Sequence, residues 1–135
     1  MGDKELILEA IEARKNAYTP YSHFQVGAAL EGAGGTVYRG CNIENAAYTP
    51  SNCAERTAFF KAVSEGERSF RRIAIVAGPE GKTLIHTAPC VVCRQVMMEF
   101  CDPDAFRILL ATGPDDYRTY TLRQLLPEGF GPDNL

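Results

Sequence analysis

From Asp3 to Tyr18 the apolar residues Leu6, Ile7, Ala10, Ile11, Ala13, Ala17 and Tyr18 recur at helical spacing, which predicts an opening helix capped by Asp3 and ended by Pro20. Phe24 to Leu30 and Thr36 to Asn42 are rich in apolar or β-forming residues. The Gly-rich stretch Glu31 to Gly35 separates them, so the pair reads as a hairpin. Asn45 to Asn52 reads as a loop, and Ala54 to Glu65 as a helix with Ala58, Phe59, Ala62 and Val63 on one face. Ile73 to Ala77 is a short strand bounded by charge and by Gly78-Pro79, and a loop to Pro89 leads into a helix from Cys90 to about Cys101. Phe106 to Ala111 and Tyr117 to Tyr120 close the sheet, and Leu122, Leu125 and Leu126 fall on a short last helix before Pro127. The order is α-β-β-α-β-α-β-β-α. It predicts an α/β fold with a mixed sheet covered by helices, antiparallel at the first hairpin and with parallel pairing expected beyond it.

A chain of 135 residues suits one domain, expected to span residues 1–135. Its 45% hydrophobic and 23% charged residues are an ordinary globular balance, without repeats or low-complexity tracts. The net charge of -3 and the absence of any Lys/Arg run remove the footprint of a protein that grips nucleic acid phosphates, so a small-molecule substrate is expected. Asp3-Lys4-Glu5 is too polar to open a signal peptide, and no apolar run approaches membrane-spanning length; a cytoplasmic protein with no membrane partner is expected. Five cysteines in a reducing compartment cannot all pair, which turns attention to metal binding or plain burial.

Three of those cysteines stand at predicted helix starts: Cys53-Ala54-Glu55 opens one helix and Pro89-Cys90-Val91-Val92-Cys93 another. Unpaired backbone N–H groups and the positive end of the helix dipole favour a thiolate there. Cys90 and Cys93 are three apart, so both sulfurs face one side of a turn and can bite one tetrahedral ion. Cys53 and Glu55 converge only if Cys53 sits at the cap, before regular helical geometry begins. Three protein ligands leave zinc a fourth position for water, the arrangement of a catalytic site, with Glu55 as the base beside that water. Three thiolates leave one net negative charge on such a centre. Arg56, three after Cys53 and on its side of the helix, is better placed than Arg94 to offset it. Cys41 and Cys101 have no paired spacing and read as buried apolar residues.

Cys53-Ala54-Glu55 with Pro89-Cys90-x-x-Cys93 resembles the zinc deaminase pattern in its three-cysteine form. The chain is similar almost end to end to the small, tetrameric cytidine deaminases, through Tyr21 to Leu30, Gly40 to Tyr48, Cys53 to Ala58 and Cys93 to Val96. The resemblance implies a three-layer fold with a five-stranded mixed sheet, one zinc ion per subunit, and hydrolytic deamination of cytidine and 2′-deoxycytidine in pyrimidine salvage. Zinc-activated water would be the nucleophile and Glu55 the proton shuttle. It further implies that Asn42 and Glu44 bond the ribose hydroxyls, that Phe24 packs on the nucleoside and that the Ala54 backbone meets the pyrimidine ring. Tyr48 would reach a neighbouring subunit's site, and Phe130 would close over the substrate, in a homotetramer whose pockets are shared between chains.

The family usually has Gly after the Pro-Cys and a small residue next, where this chain has Val91 and Val92, a difference that bears on substrate range. Two other readings stay open. A structural zinc module would need His86, four before Cys90, as a fourth ligand; alternatively the substrate is a modified cytosine, an antibiotic carrying one, or cytosine in RNA. Gly78 to Thr83 superficially suggests a phosphate loop, but Val76 stands where its first Gly is required.

Overall fold

The computed structural model describes residues 1–135. Its elements are α1 (Asp3–Arg14), β1 (Phe24–Gly32), β2 (Val37–Cys41), α2 (Ala54–Ser64), β3 (Phe70–Pro79), α3 (Val91–Phe100), β4 (Arg107–Gly113), β5 (Asp116–Thr121) and α4 (Leu122–Leu125), with a 3-10 turn at Pro132–Asn134. The element order is the one that the apolar pattern predicts, with the added turn at the end.

Five strands form one sheet in the order β2-β1-β3-β4-β5. Parallel pairing is confined to β3 with β4, the pair whose connection carries α3. A parallel return needs such a crossover, whereas β4 and β5 are joined by a tight turn and pair antiparallel. The expectation of parallel pairing beyond the hairpin therefore narrows to one pair, since β1 also meets β3 antiparallel.

Both faces of the sheet are covered, which explains why β3 and β4 read as nearly unbroken apolar runs. On one face Ala29, Ala74, Val76, Leu109 and Ala111 pack under Leu6, Ile7 and Ala10 of α1. On the other, Ala28, Leu30, Ile73, Ile75, Ile108 and Leu110 meet Ala58, Phe59 and Ala62 of α2 and Met97 of α3. Strand residues alternate between the two clusters because successive side chains point to opposite faces. Close approach is set by glycine: a Cβ at Gly27 would overlap the Ala10 carbonyl oxygen, and one at Gly40 would overlap the Ala54 carbonyl oxygen. The first contact seats α1 on β1; the second seats the start of α2 on β2.

Two details of the opening segment depart from the sequence reading. Gly2, not Asp3, is the cap of α1, and Asp3 turns to the sheet, where it meets Arg72, Arg107 (2.8 Å) and the Tyr117 hydroxyl (3.2 Å). The helix ends at Arg14 rather than running to Pro20. Tyr18 N–H instead donates to the Asn42 carbonyl at 3.0 Å, and the Tyr18 carbonyl accepts from Glu44 N–H at 2.9 Å, a backbone pairing that outcompetes another helical turn.

Candidate active site

Both α2 and α3 start on the same face of the sheet with a cysteine in extended backbone at the cap: Cys53 before Ala54, and Cys90 before Val91. Cys90 thus precedes the helix that was expected to begin with it. Its sulfur accepts from the Cys93 N–H at 3.4 Å. The capping positions bring three sulfurs together, with Cys53 Sγ 3.7 Å from Cys90 Sγ, Cys90 Sγ 3.2 Å from Cys93 Sγ, and all three within 4.8 Å of one another. Sulfurs bound tetrahedrally at ~2.3 Å from zinc stand about 3.8 Å apart, so the trio fits that ion with small adjustment.

The charge around the sulfurs fits as well. Cys53 is held down at about 5, chiefly by the hydrogen bond from Cys93 and further by the Arg56 guanidinium, while Cys93 is pushed up by that same bond and by burial. Arg56 Nη2 donates to Cys53 Sγ at 3.4 Å, and its buried Nε has no protein partner. A half-buried arginine whose buried Nε is left unsatisfied beside thiolates suits a centre carrying surplus negative charge. Arg94, the other cation considered, donates instead to the Pro89 and Leu125 carbonyls at 2.7 and 2.6 Å.

Glu55 lies on the first turn of α2 and is only 4% exposed. Burial first, and the Cys53 charge second, raise its carboxyl to about 7. Together with Cys53, Arg56 and Cys90 it lines an open cavity of about 470 Å³, to which Phe24, Asn42 and Glu44 also contribute. That volume is in the range of small-molecule sites. The Glu44 carboxylate accepts from the backbone N–H groups of Tyr21 (3.0 Å) and Ser22 (3.1 Å) and from the Ser22 hydroxyl, which hold it below the usual carboxylate range. Asn42 Oδ1 accepts from Val26 N–H, and its Nδ2 donates to the Phe24 carbonyl, both at 2.8 Å. Each residue is locked from behind by backbone.

Other expected site residues stand elsewhere. Ala54 is fully buried at the start of α2 and is not part of the cavity wall; Tyr48 and Phe130 are 73% and 56% exposed, outside the cavity of their own chain. Val91 and Val92 are also on the surface and do not line it. His86 is turned away from the sulfurs, its Nδ1 3.2 Å from the Leu110 carbonyl, so the trio has no fourth protein ligand of that kind. Cys101 is buried with its thiol pushed up by burial, and Cys41 is half-buried and shifted the same way.

Sequence reasoning missed Ser22, Val26, Ser51, Asn52, Ile75, Thr87 and Ala88, which complete the wall. Val26 and Ile75 had a usable signal, because both share strand parity with Ala28 and Ile73, on the face that carries α2. Ser22, Thr87 and Ala88 are loop residues whose direction no periodicity encodes. A second cavity of about 510 Å³, beyond the C-terminal end of α3 and lined by Glu99, Asp102 and Asp133 among others, contains none of the three sulfurs. No helix is long and apolar enough to cross a membrane.

Comparison with known proteins agrees with this geometry. Residues 1–108 match the family described as the cytidine and deoxycytidylate deaminase zinc-binding region. The chain is 50% identical over 135 residues to the cytidine deaminase of Sporosarcina psychrophila, covering all of this chain and 96% of that one. It is 39% identical over 126 residues to the cytidine deaminase of Mycobacterium tuberculosis, covering 93% and 87%. The crystal structure of cytidine deaminase from Burkholderia pseudomallei superposes with a TM-score of 0.87 at 45% identity, over 96% of this chain and all of that one. Likeness of that length and depth, falling on a chain whose sulfurs are already spaced for zinc, makes this chain a member of the cytidine deaminase family.

Proposed function

We propose that the chain deaminates cytidine and 2′-deoxycytidine to uridine and 2′-deoxyuridine with one zinc ion per subunit, that Cys53, Cys90 and Cys93 hold the ion, and that Glu55 carries the protons. One observation carries this reading: three sulfurs within 4.8 Å of one another stand beside a carboxyl that is 4% exposed, in the wall of an open cavity.

Zinc, when bound, supplies a water acidic enough to act as nucleophile near neutral pH. Glu55 takes the proton that this water gives up onto a carboxylate oxygen and hands it to N3 of the cytosine ring. It then carries a second proton to the departing 4-amino nitrogen, so that water and cytidine become uridine and ammonia. A carboxyl buried as Glu55 is, and titrating near neutrality, accepts and releases protons at similar cost. Arg56, donating to Cys53, offsets the negative charge of the thiolates and leaves the centre a stronger Lewis acid.

Asn42 and Glu44 serve as the ribose contacts in this reading, and their backbone anchors fix them before substrate arrives. Phe24, in the cavity wall, packs on the nucleoside, whereas Ala54 lies too deep to meet the ring. Tyr48 and Phe130 act in a neighbouring chain's pocket within a homotetramer, which accords with exposed aromatic side chains unused by their own pocket. The protein works as one domain in the cytoplasm, on a free nucleoside rather than on nucleic acid, in keeping with its net charge of -3.

The test follows the ultraviolet conversion of cytidine to uridine by wild type and Glu55→Gln at matched zinc content. Gln keeps the shape and loses the proton, so zinc stays while turnover falls by about 10²–10⁴ or more. An E55Q protein that turns over at the wild-type rate would refute the shuttle.

A further inference from the structure

Between β3 and α3 the chain runs from Glu80 to Cys90 with little regular pairing, yet it must deliver a sulfur to the centre. Ile85 N–H donates to the Ala77 carbonyl at 2.8 Å, and Thr87 Oγ1 turns back to the Ile85 carbonyl at 3.1 Å. His86 stands between these two. Its ring points to the far strands, with Nδ1 3.2 Å from the Leu110 carbonyl of β4 and Nε2 3.6 Å from Asp116 Oδ2 of β5. That carboxylate oxygen is held in turn by the Thr112 hydroxyl at 2.5 Å. A carbonyl only accepts, so Nδ1 carries the proton and donates it.

The grip matters because of what lies next to it in the chain. Thr87 and Ala88 line the cavity, and Cys90, four residues on, is the exposed member of the sulfur trio, where Cys93 is buried and Cys53 half-buried. Leu110 is a fixed point, buried in β4 and registered opposite Ile75, itself part of the cavity wall. A ligand on a loop loses affinity if the loop must be ordered when the ion binds; a loop ordered in advance does not.

We propose that His86 is a positioning residue: by donating Nδ1–H to the Leu110 carbonyl it fixes the segment Thr87 to Cys90 on the sheet and so places the Cys90 sulfur and this side of the pocket. The inference rests on Cys90 being a zinc ligand. It reverses the part that the sequence allowed His86, from a ligand of the ion to an anchor of a ligand.

The experiment loads wild type, His86→Ala, His86→Asn and Cys90→Ser with zinc and follows its transfer to a chromophoric chelator. Residues that orient metal ligands typically change metal affinity 10–100-fold, so H86A releases zinc about tenfold faster than wild type. In H86N the amide nitrogen takes the place of Nδ1, which returns the rate to within about threefold of wild type. Release from H86A at the wild-type rate overturns the proposal, and so does an H86N protein no slower than H86A. Should H86A fail to fold, His86→Phe replaces it, which fills the space of the ring and has no donor; release about tenfold faster is then expected, and the wild-type rate overturns the anchor. C90S separates the two claims: if it loses zinc while the His86 variants hold it, only the anchoring fails, whereas a C90S protein as retentive as wild type removes the ligand reading itself.

Discussion

Asp3 follows the cap of α1 and turns its carboxylate to the sheet. Asp3 has the composition of a helix cap, but Arg107, Arg72 and Tyr117 surround it, and the Arg107 hydrogen bond above all holds its carboxyl below the usual 3.8. A carboxyl lowered in the folded state contributes stability that is complete above the unfolded value and is lost as pH falls below it. Asp3→Asn should therefore cost about 1 kcal/mol at pH 7, as expected for a partly buried charged hydrogen bond, and progressively less below about pH 4. Urea unfolding of both proteins from pH 7 to pH 3 checks this. With both proteins at matched zinc content, the difference between them carries the Asp3 contribution. A gap that stays constant or widens in acid would show that the charge on Asp3 does not matter. Glu55, the three cysteines and Arg56 are legible as candidates in the sequence because their chemistry is tied to spacing, two thiols three apart sharing a helical side and a third thiol two before a carboxylate requiring a cap; the parts of His86 and Asp3 are not, because each is set by partners distant in sequence.

At the scale of elements, the apolar periodicity located the helices and strands, since each needs a face or a stripe to bury, and it placed their ends less well. The end of α1 was set by backbone pairing between Tyr18 and the segment after β2, a contact invisible to local spacing. Parallel and antiparallel neighbours were settled by how strands are connected, and among paired strands only β3 and β4 are joined through a helix. Glycine contacts couple two elements to the sheet with different consequences. A methyl at Gly27 would come within 2.5 Å of the Arg14 nitrogen in α1, and one at Gly40 within 2.6 Å of the Ala58 nitrogen in α2. Gly27→Ala and Gly40→Ala should each destabilise the fold by about 1–3 kcal/mol, the usual cost of overpacking. Of these two helices only α2 has a cysteine of the trio at its cap, so only G40A should also weaken zinc retention. Denaturant unfolding beside zinc content in the same preparations distinguishes them; equal zinc loss in both variants would mean that the α2 start is not what holds Cys53.

For the whole molecule, the pattern within one chain stops at its surface. Tyr48 and Phe130 lie outside the cavity that the chain builds for itself, with Phe130 tied back only through its carbonyl, which accepts from Gln95 Nε2 at 2.8 Å. If Phe130 closes a neighbour's pocket, then Phe130→Ala and Glu55→Gln damage different chains of the same site. Each variant alone has no intact site. In mixed oligomers formed by refolding the two together, an intact Glu55 can meet an intact Phe130 from the next chain, and random one-to-one assembly restores about a quarter of all sites. Cytidine turnover by the mixture should then rise above the average of the two parents, by the larger margin the more severe F130A is alone. If Phe130 serves only its own chain, mixing creates no new combination, and the activity stays at that average. The separation of the two side chains between subunits is what makes the outcomes differ, since no arrangement within one chain lets two damaged proteins repair each other.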